Sequence, residues 1–161
     1  MPAGGARARL ARLARELLAQ SEIGRGLVRD QGQVGEPEPI RDHRLQLAGW
    51  FVPVTIGDRI AGFFQFLPDG TLLRFSSFQR LPDSVEGCPS AADWLNRQVI
   101  RERAASGKTP GETLAEPYLT YDRSRTRLAW AVPVAGPEGK TRMILVAGDF
   151  VYEPVADGPC A

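Results

Sequence analysis

Apolar residues near the start of the chain recur at helical spacing. Leu10, Leu13, Ala14 and Leu17 fall on one stripe, and arginines occupy the opposite side. Apolar residues three and four positions apart share one face of an α-helix. The pattern therefore predicts an amphipathic helix over residues 6–20.

Three strand-like segments follow a connector at residues 24–39, which holds four glycines and two prolines and is predicted to be a loop. The segments, rich in aromatic and β-branched residues, are 45–55, 59–67 and 71–78. The turn sequences Ile56-Gly57-Asp58 and Pro68-Asp69-Gly70 separate them, which predicts three antiparallel strands joined by tight turns. The middle segment is apolar on both faces, so both of its faces must be covered.

The same order of elements recurs in the second half of the chain. Ser90 is predicted to begin a helix, because Asp93 stands three positions on, as in a capping box, and Gly107 is predicted to end it. After a loop, strand-like segments return at 118–121, 127–135, 141–146 and 150–152. The chain thus runs helix, loop and strands twice.

A short motif recurs together with this order. Trp50 and Trp130 each begin the pattern Trp-x-Val-Pro-Val, 80 residues apart. A helix over a small sheet buries only one sheet face, so two such units gain by packing together. We predict an α+β protein of two tandem helix-plus-antiparallel-sheet repeats, residues 1–80 and 81–161, packed as one compact pseudo-two-fold unit. Pro53 and Pro133 are predicted at a strand edge or bulge, because proline lacks an amide proton.

Composition narrows the class of protein. The 161 residues, 43% of them hydrophobic, suffice for a real core. No apolar run approaches the roughly 20 residues that cross a bilayer, and the N-terminus lacks a secretion-signal pattern, so a cytoplasmic location is expected. The net charge of +1 makes nucleic acid an unlikely partner. The alanine- and arginine-rich composition is typical of a GC-rich bacterial gene.

Basic charge is concentrated at the N-terminus. Residues 1–29 contain six arginines against two glutamates. Arg9, Arg12 and Arg15 on the first helix are a candidate basic surface for phosphates or a membrane. The alternative is that the helix packs on its own sheet and leaves these arginines in solvent.

The sequence contains no recognisable catalytic, metal or cofactor motif. His43 is the only histidine and lies in a charged turn, so neither a catalytic triad nor a multi-histidine metal site can be assembled around it. Cys88 and Cys160 are far apart, which predicts neither a disulfide framework nor a metal site. Gly107-Lys108-Thr109 follows a predicted helix and lacks the first glycine of a phosphate-binding loop. We predict no catalytic residues, no metal and no cofactor.

The aromatic residues are numerous enough to serve as core, as a partner surface, or as both. The candidate partner-binding residues are Trp50, Phe64, Phe66, Phe78 and Trp130. The leading hypothesis is a non-catalytic accessory or assembly protein that binds a protein or peptide in a groove, or on a sheet face, between the repeats. A homo-oligomer is also possible.

Two alternatives remain open. The first is a small-ligand carrier or enzyme with a pocket between the repeats, whose polar groups would be Tyr118, Tyr121, Asp122 and Asp149. The second is binding of nucleic acid or a membrane surface through the basic first helix.

Several of these features also resemble a known family. The Asp69-Gly70 turn, the Tyr121-Asp122 pair and the Leu-Ala-Trp-Ala-Val segment at residues 128–132 resemble PepSY-type domains, a cystatin-like α+β family. The resemblance covers residues 90–153 best and residues 6–80 more loosely. It implies a helix crossed over an antiparallel meander, and a role in binding or inhibition, often of peptidases outside the cytoplasm.

Overall fold

The computed structural model describes residues 3–20 and 26–154, and within these ranges the chain is α+β, as predicted. The helices are α1 (Ala3–Ala19), α2 (Gly26–Gln31), α3 (Ala91–Trp94) and α4 (Arg97–Ala104). The strands are β1 (Gln33–Val34), β2 (Glu38–Arg41), β3 (Leu47–Ile56), β4 (Arg59–Phe66), β5 (Leu72–Ser77), β6 (Thr113–Leu114), β7 (Tyr118–Tyr121), β8 (Leu128–Ala135), β9 (Thr141–Ala147) and β10 (Phe150–Tyr152).

The ten strands found within residues 3–20 and 26–154 belong to one sheet. Its main path runs β10-β9-β8-β7-β2-β3-β4-β5, while β1 pairs with β3 and β6 pairs with β8. Neighbouring strands are antiparallel except β2 and β7, which pair in parallel through Ile40 and Leu119. The strands of the first half therefore lie on one side of this central pair, and those of the second half lie on the other. β5 and β10 are the two edge strands in the part of the chain that the structure describes.

Helix α1 covers one face of the first-half strands. Leu10, Ala14 and Leu18 are buried in one cluster with Trp50 and Phe64. Leu10 and Ala14 confirm the predicted amphipathic stripe, the predicted Leu13 and Leu17 are partly buried beside it, and Leu18 is a further buried position on the same face. We call this side of the sheet the α1 face.

Helix α4 covers the opposite face, over the second-half strands. Ile100 and Ala104 share a buried cluster with Trp130 and Phe51. Successive residues of a strand point to opposite faces, so Phe51 and its neighbour Trp50 face opposite ways, and Trp130 lies on the side away from Trp50. We call this second side the α4 face.

The predicted connector at residues 24–39 is wrong in part. Residues 26–39 hold α2, β1 and the start of β2. Val28 of α2 is buried in the cluster beneath α1, and the Gly32 amide donates to the Val28 carbonyl over 2.8 Å. Gly26, Gly32, Gly35 and Pro37 stand at the ends of these short elements, and burial of Val28 outweighs the weak local propensity between them.

The single helix predicted from Ser90 is also wrong, because α3 and α4 are separate. The Ser90 side chain makes no capping hydrogen bond, and Ser90 instead forms a bridge with Arg59. The side chain of Asn96 caps α4 by accepting hydrogen bonds from two first-turn amides. Gly107 ends the 3-10 turn that follows α4, near the predicted end.

Pro53 and Pro133 lie where a neighbouring strand is interrupted. The Pro53 carbonyl accepts from the Gly35 amide over 2.8 Å, in the gap between β1 and β2. The Pro133 carbonyl accepts from the Ala115 amide over 2.8 Å, in the gap between β6 and β7. Proline has no amide proton to donate. Each of the two prolines faces a gap in the neighbouring strand, and this gap forms a local edge of the sheet.

A cluster of charged side chains links β9 to the loop before β6. The Nε and Nη2 atoms of Arg142 donate to the two carboxylate oxygens of Glu112 over 2.8 and 2.7 Å. The Thr109 amide donates to the same carboxylate over 2.7 Å. The Arg142 hydrogen bonds first, and then the Thr109 amide, hold the pKa of Glu112 well below its usual value of 4.5.

Replacing Glu112 by glutamine should reduce the acid sensitivity of the fold. A carboxyl whose folded-state pKa is depressed adds stability that is present above about pH 4.5 and is lost as the pH falls through the folded pKa. We expect Glu112→Gln to be less stable than the parent at about pH 7 and the difference to shrink at about pH 3 in urea unfolding. Glu102→Gln, an exposed carboxyl on α4, is the control. A Glu112→Gln difference that is equal at both pH values would contradict this explanation.

Candidate functional site

An open apolar groove of about 490 Å³ lies on the α4 face, between the two halves of the sheet. Its first-half wall is made by Phe51, Phe63 and Phe78. Its second-half wall is made by Leu128, Phe150 and Val151. We call it the inter-half groove.

Aromatic rings in contact form the first-half wall. The ring centres of Phe51 and Phe63 are 4.8 Å apart, and those of Phe63 and Phe78 are 5.4 Å apart. Phe78 continues the series to Trp94 of α3, at 5.9 Å. These separations are typical of favourable aromatic pairs, so the wall is packed before any ligand arrives.

Both edges of the sheet border the inter-half groove. Arg74 belongs to β5, and Phe150 and Val151 belong to β10, at opposite ends of the strand order. The sheet must therefore curl around its α4 face to bring the two edges to one groove. Within residues 3–20 and 26–154 each edge strand has one strand neighbour, which leaves a row of backbone groups without a sheet partner. At the rim, Phe150 is 75% exposed.

Arg74 places a positive charge in the groove wall. Its guanidinium carbon lies 5.4 Å from the ring centre of Phe63, and its Nε donates a hydrogen bond to Oε1 of Gln65. Gln65 is fully buried, and its Nε2 donates to the Arg125 carbonyl over 3.0 Å. The buried amide thus holds Arg74 in place and also joins β4 to the turn after β7.

Arg127 is the second arginine at the rim, and the carboxylate of Asp122 compensates its charge. Asp122, which is buried, lies with its Oδ2 3.4 Å from Nη2 of Arg127 and accepts a hydrogen bond from the Tyr152 hydroxyl over 2.6 Å. Burial, followed by this hydrogen bond, raises the pKa of Tyr152 to about 12. Arginine keeps its charge in proteins, so Arg74 and Arg127 both stay cationic near neutral pH.

A second depression, of about 480 Å³, lies on the α1 face of the second-half strands. Tyr118, Tyr121 and Asp122 line it, so the structure brings together three of the four polar residues of the small-ligand hypothesis. Asp149 is exposed in the turn between β9 and β10 and does not line this depression. Burial, with a smaller effect of the Asp42 charge, raises the pKa of Tyr118.

Most of the aromatic residues predicted to contact a partner are core residues. Trp50, Phe64 and Phe66 lie in the cluster beneath α1, and Trp130 lies in the cluster beneath α4. Phe78 is half-buried and lines the inter-half groove. A partner can reach Phe78 directly, but it can reach the other four only by displacing a helix.

The predicted basic surface lies elsewhere. Arg9, Arg12 and Arg15 are exposed on the solvent side of α1 and do not line the inter-half groove. Arg7 on the same helix contacts the rest of the protein. Its guanidinium carbon lies 5.6 Å from the ring centre of Trp50, and its Nη1 donates to the Pro37 carbonyl over 2.7 Å. Binding through the first helix stays a prediction.

Gln65 and Arg74 were not among the site residues predicted from the sequence. A signal existed, since Gln65 interrupts the apolar series Phe63-Phe64-Gln65-Phe66 in a strand predicted to be covered on both faces. A polar residue at such a position must find a buried hydrogen-bond partner. That partner, the Arg125 carbonyl, comes from the other half of the chain and has no local signal.

In the ranges that the structure describes, no group of three or more His, Cys, Asp or Glu residues is placed to hold a metal ion. The same ranges contain no helix long and apolar enough to cross a membrane. Cys88 is buried, and burial raises the pKa of its thiol, whereas Cys160 lies outside the described residues.

No protein-family model matches the chain, and neither a curated protein nor a solved structure matches it. The PepSY-like resemblance therefore stays a prediction from short motifs.

Proposed function

We propose that this is a non-catalytic binding protein that holds an extended segment of a protein or peptide partner in the inter-half groove. The observation that carries the proposal is the position of this apolar groove between the two open edges of one sheet. Extended peptides bind sheet edges through main-chain hydrogen bonds, and pockets for alternate side chains give specificity. β10 supplies an edge, and the space beside Phe78 and Leu128 supplies the pocket.

A small apolar ligand is the second candidate occupant. The volume of about 490 Å³ lies within the usual range for small-molecule sites, which supports this candidate. Among the described residues, the side chains that line the groove include no histidine, cysteine, aspartate or glutamate, which favours a carrier over an enzyme in this case. The exposed strand edge and the exposed Phe150 favour a peptide over a small ligand as the occupant. A small ligand enclosed in the groove would use neither the backbone groups of the edge nor the ring of Phe150.

We further propose that the groove arises from two copies of one unit. The strand register supports this idea, since Trp50 pairs with Phe66 and Trp130 pairs with Val146, 80 residues later in each strand. A pseudo-two-fold axis along the parallel β2–β7 pair accounts for helices on opposite faces of the sheet.

The two depressions fit the same symmetry. Phe51 and Phe63 in the inter-half groove correspond by this offset to Ala131 and Met143, which line the second depression. The second half carries smaller or more flexible side chains at these positions than the first. The two copies would thus differ in side-chain size at positions that line the two depressions.

Selection from a random phage-displayed peptide library tests the proposed function. Thr126 is exposed at the groove and Thr141 is exposed outside it, so Thr126→Trp and Thr141→Trp are a matched pair. We expect selected peptides to bind the parent and the Thr141→Trp variant with similar affinity and to lose at least about 10-fold in affinity for Thr126→Trp, because the indole fills the pocket.

A second pair of variants tests the contribution of the rim. Phe150→Ala should weaken the same peptides, whereas Leu81→Ala, at a position 60% exposed and outside the groove, should not. Failure to select any peptide, together with a rise in melting temperature in the presence of small apolar acids, would favour the carrier. Peptides that bind all four variants equally would overturn the groove as the binding site.

A further inference from the structure

We propose that the bound segment carries an acidic side chain that pairs with Arg74, beside an apolar side chain that fills the inter-half groove. This inference rests on the proposed peptide binding and adds the chemistry of the ligand. It assigns Arg74 as the residue that selects an anionic segment.

The charge on Arg74 is uncompensated. Its side chain is half-buried against the Phe63 ring, and within residues 3–20 and 26–154 no acidic side chain forms an ion pair with it. An unpaired cation on an apolar wall raises the free energy of the protein. Pairing with an anion at this wall is therefore more favourable than the same pairing at an open surface.

The geometry of Arg74 leaves part of its guanidinium for a ligand. Nε donates to Gln65, and Nη2 makes only a long contact of 3.5 Å with the Arg125 carbonyl. Arginine presents a planar fork that can bind both oxygens of a carboxylate. Because the fully buried Gln65 orients this fork, binding costs less side-chain entropy than it would for a free arginine.

Arg127, the second arginine of the groove, differs from Arg74 in its exposure and in its pairing. Arg127 is 63% exposed and paired with the buried Asp122, so its charge is both screened and compensated. The positive potential of the groove therefore centres on Arg74, on the β5 side. A neutral apolar segment would fill the space but would leave this charge unpaired.

Pairing at a sheet edge is compatible with an acidic side chain inside the bound segment. A segment that pairs with an edge strand places every second side chain on the same face. An acidic side chain two positions from a bulky apolar one can thus reach Arg74 while the apolar group enters the groove. We expect this spacing to recur among the selected peptides.

Binding of capped synthetic peptides tests the inference. The probe is a selected peptide with an acetylated N-terminus and an amidated C-terminus, compared with the same peptide in which the acidic residue is replaced by its amide. Fluorescence anisotropy should show that Arg74→Met weakens the acidic peptide about 10-fold, as expected for loss of a charge-assisted hydrogen bond. The amide peptide should bind both proteins equally.

Arg12→Met, at an exposed position on α1 outside the groove, is the matched control and should change neither affinity by more than about 2-fold. Circular dichroism of Arg74→Met checks that the fold is retained. If Arg74→Met weakens both peptides alike, or neither, the acidic-residue inference is overturned while the proposed function stands. If binding requires a free C-terminal carboxylate, recognition of a chain end replaces the inference. If no peptide binds the parent protein, the proposed function itself falls.

Discussion

Trp130→Ala is expected to lower the free energy of unfolding by about 3–5 kcal/mol, as is typical for truncation of a large buried aromatic residue. Trp130 is 1% exposed, and its indole N–H donates to the Trp94 carbonyl over 2.8 Å. Arg97 lies over its ring, 5.4 Å from the centre. The substitution therefore opens a cavity beneath α4 and also removes a hydrogen bond that holds α3 to the sheet. Urea unfolding followed by far-ultraviolet circular dichroism measures the change.

Trp50 supplies the matched control, because it begins the same motif in the first half and is 6% exposed. An arginine also lies over its ring, but within the described ranges its indole makes no hydrogen bond like that of Trp130. Trp130→Phe should therefore lower the free energy of unfolding by about 1 kcal/mol more than Trp50→Phe does, because one hydrogen bond contributes about this much to stability. Equal costs for the two phenylalanine variants would show that the bond to Trp94 contributes nothing.

Ala14→Asp is expected to destabilise the protein by about 3–5 kcal/mol, since it buries an unpaired carboxylate. Ala14 is fully buried between α1 and the sheet, next to Leu10 and Leu18. We expect the variant to release α1 from the sheet and to expose Trp50 and Phe64. Thermal unfolding and the fluorescence of an apolar dye should report a lower midpoint and increased dye binding.

Arg12→Asp is the matched control for this prediction. Arg12 lies on the exposed side of the same helix, so the same aspartate placed there stays in water. We expect a change within about 1 kcal/mol, mainly from helix propensity. A similar loss for both variants would mean that helix propensity, rather than packing on the sheet, dominates the role of α1.

The strands were largely predictable from the sequence. Tyr118–Tyr121 and Phe150–Tyr152 coincide with the predicted segments, and the long strands of the first half differ only at their ends. Tight turns explain this success, because a residue such as Gly57, with a φ of 60°, occupies a conformation that other residues rarely adopt. Such turn signals are local, so they can be read without knowledge of the fold.

The helices were less predictable where packing decides them. Ser90 has the residue type of a helix cap, but the cap that forms is Asn96. The short α2 exists because Val28 finds a place in the core beneath α1. Both outcomes depend on residues distant in sequence, which local patterns do not contain.

The candidate site was predictable only in outline. The idea of a groove between the halves needed no coordinates, but of the five aromatic residues chosen for it only Phe78 lines the groove. Periodicity cannot separate a core aromatic from an exposed one in a strand that is apolar on both faces. Arg74 and Gln65 matter because the turn at Arg125 meets them from the other half of the chain.

The sequence by itself determined the α+β class, the position of most strands, the amphipathic first helix and the recurrence of Trp-x-Val-Pro-Val. These features follow from alternation, helical spacing and turn chemistry, all of which act over a few residues. The tertiary structure decided that β2 and β7 pair in parallel, that α1 and α4 lie on opposite faces, and that β5 and β10 border one groove. Those features depend on pairing and curling of strands far apart in the chain, so only the assembled sheet brings Arg74 into an apolar groove.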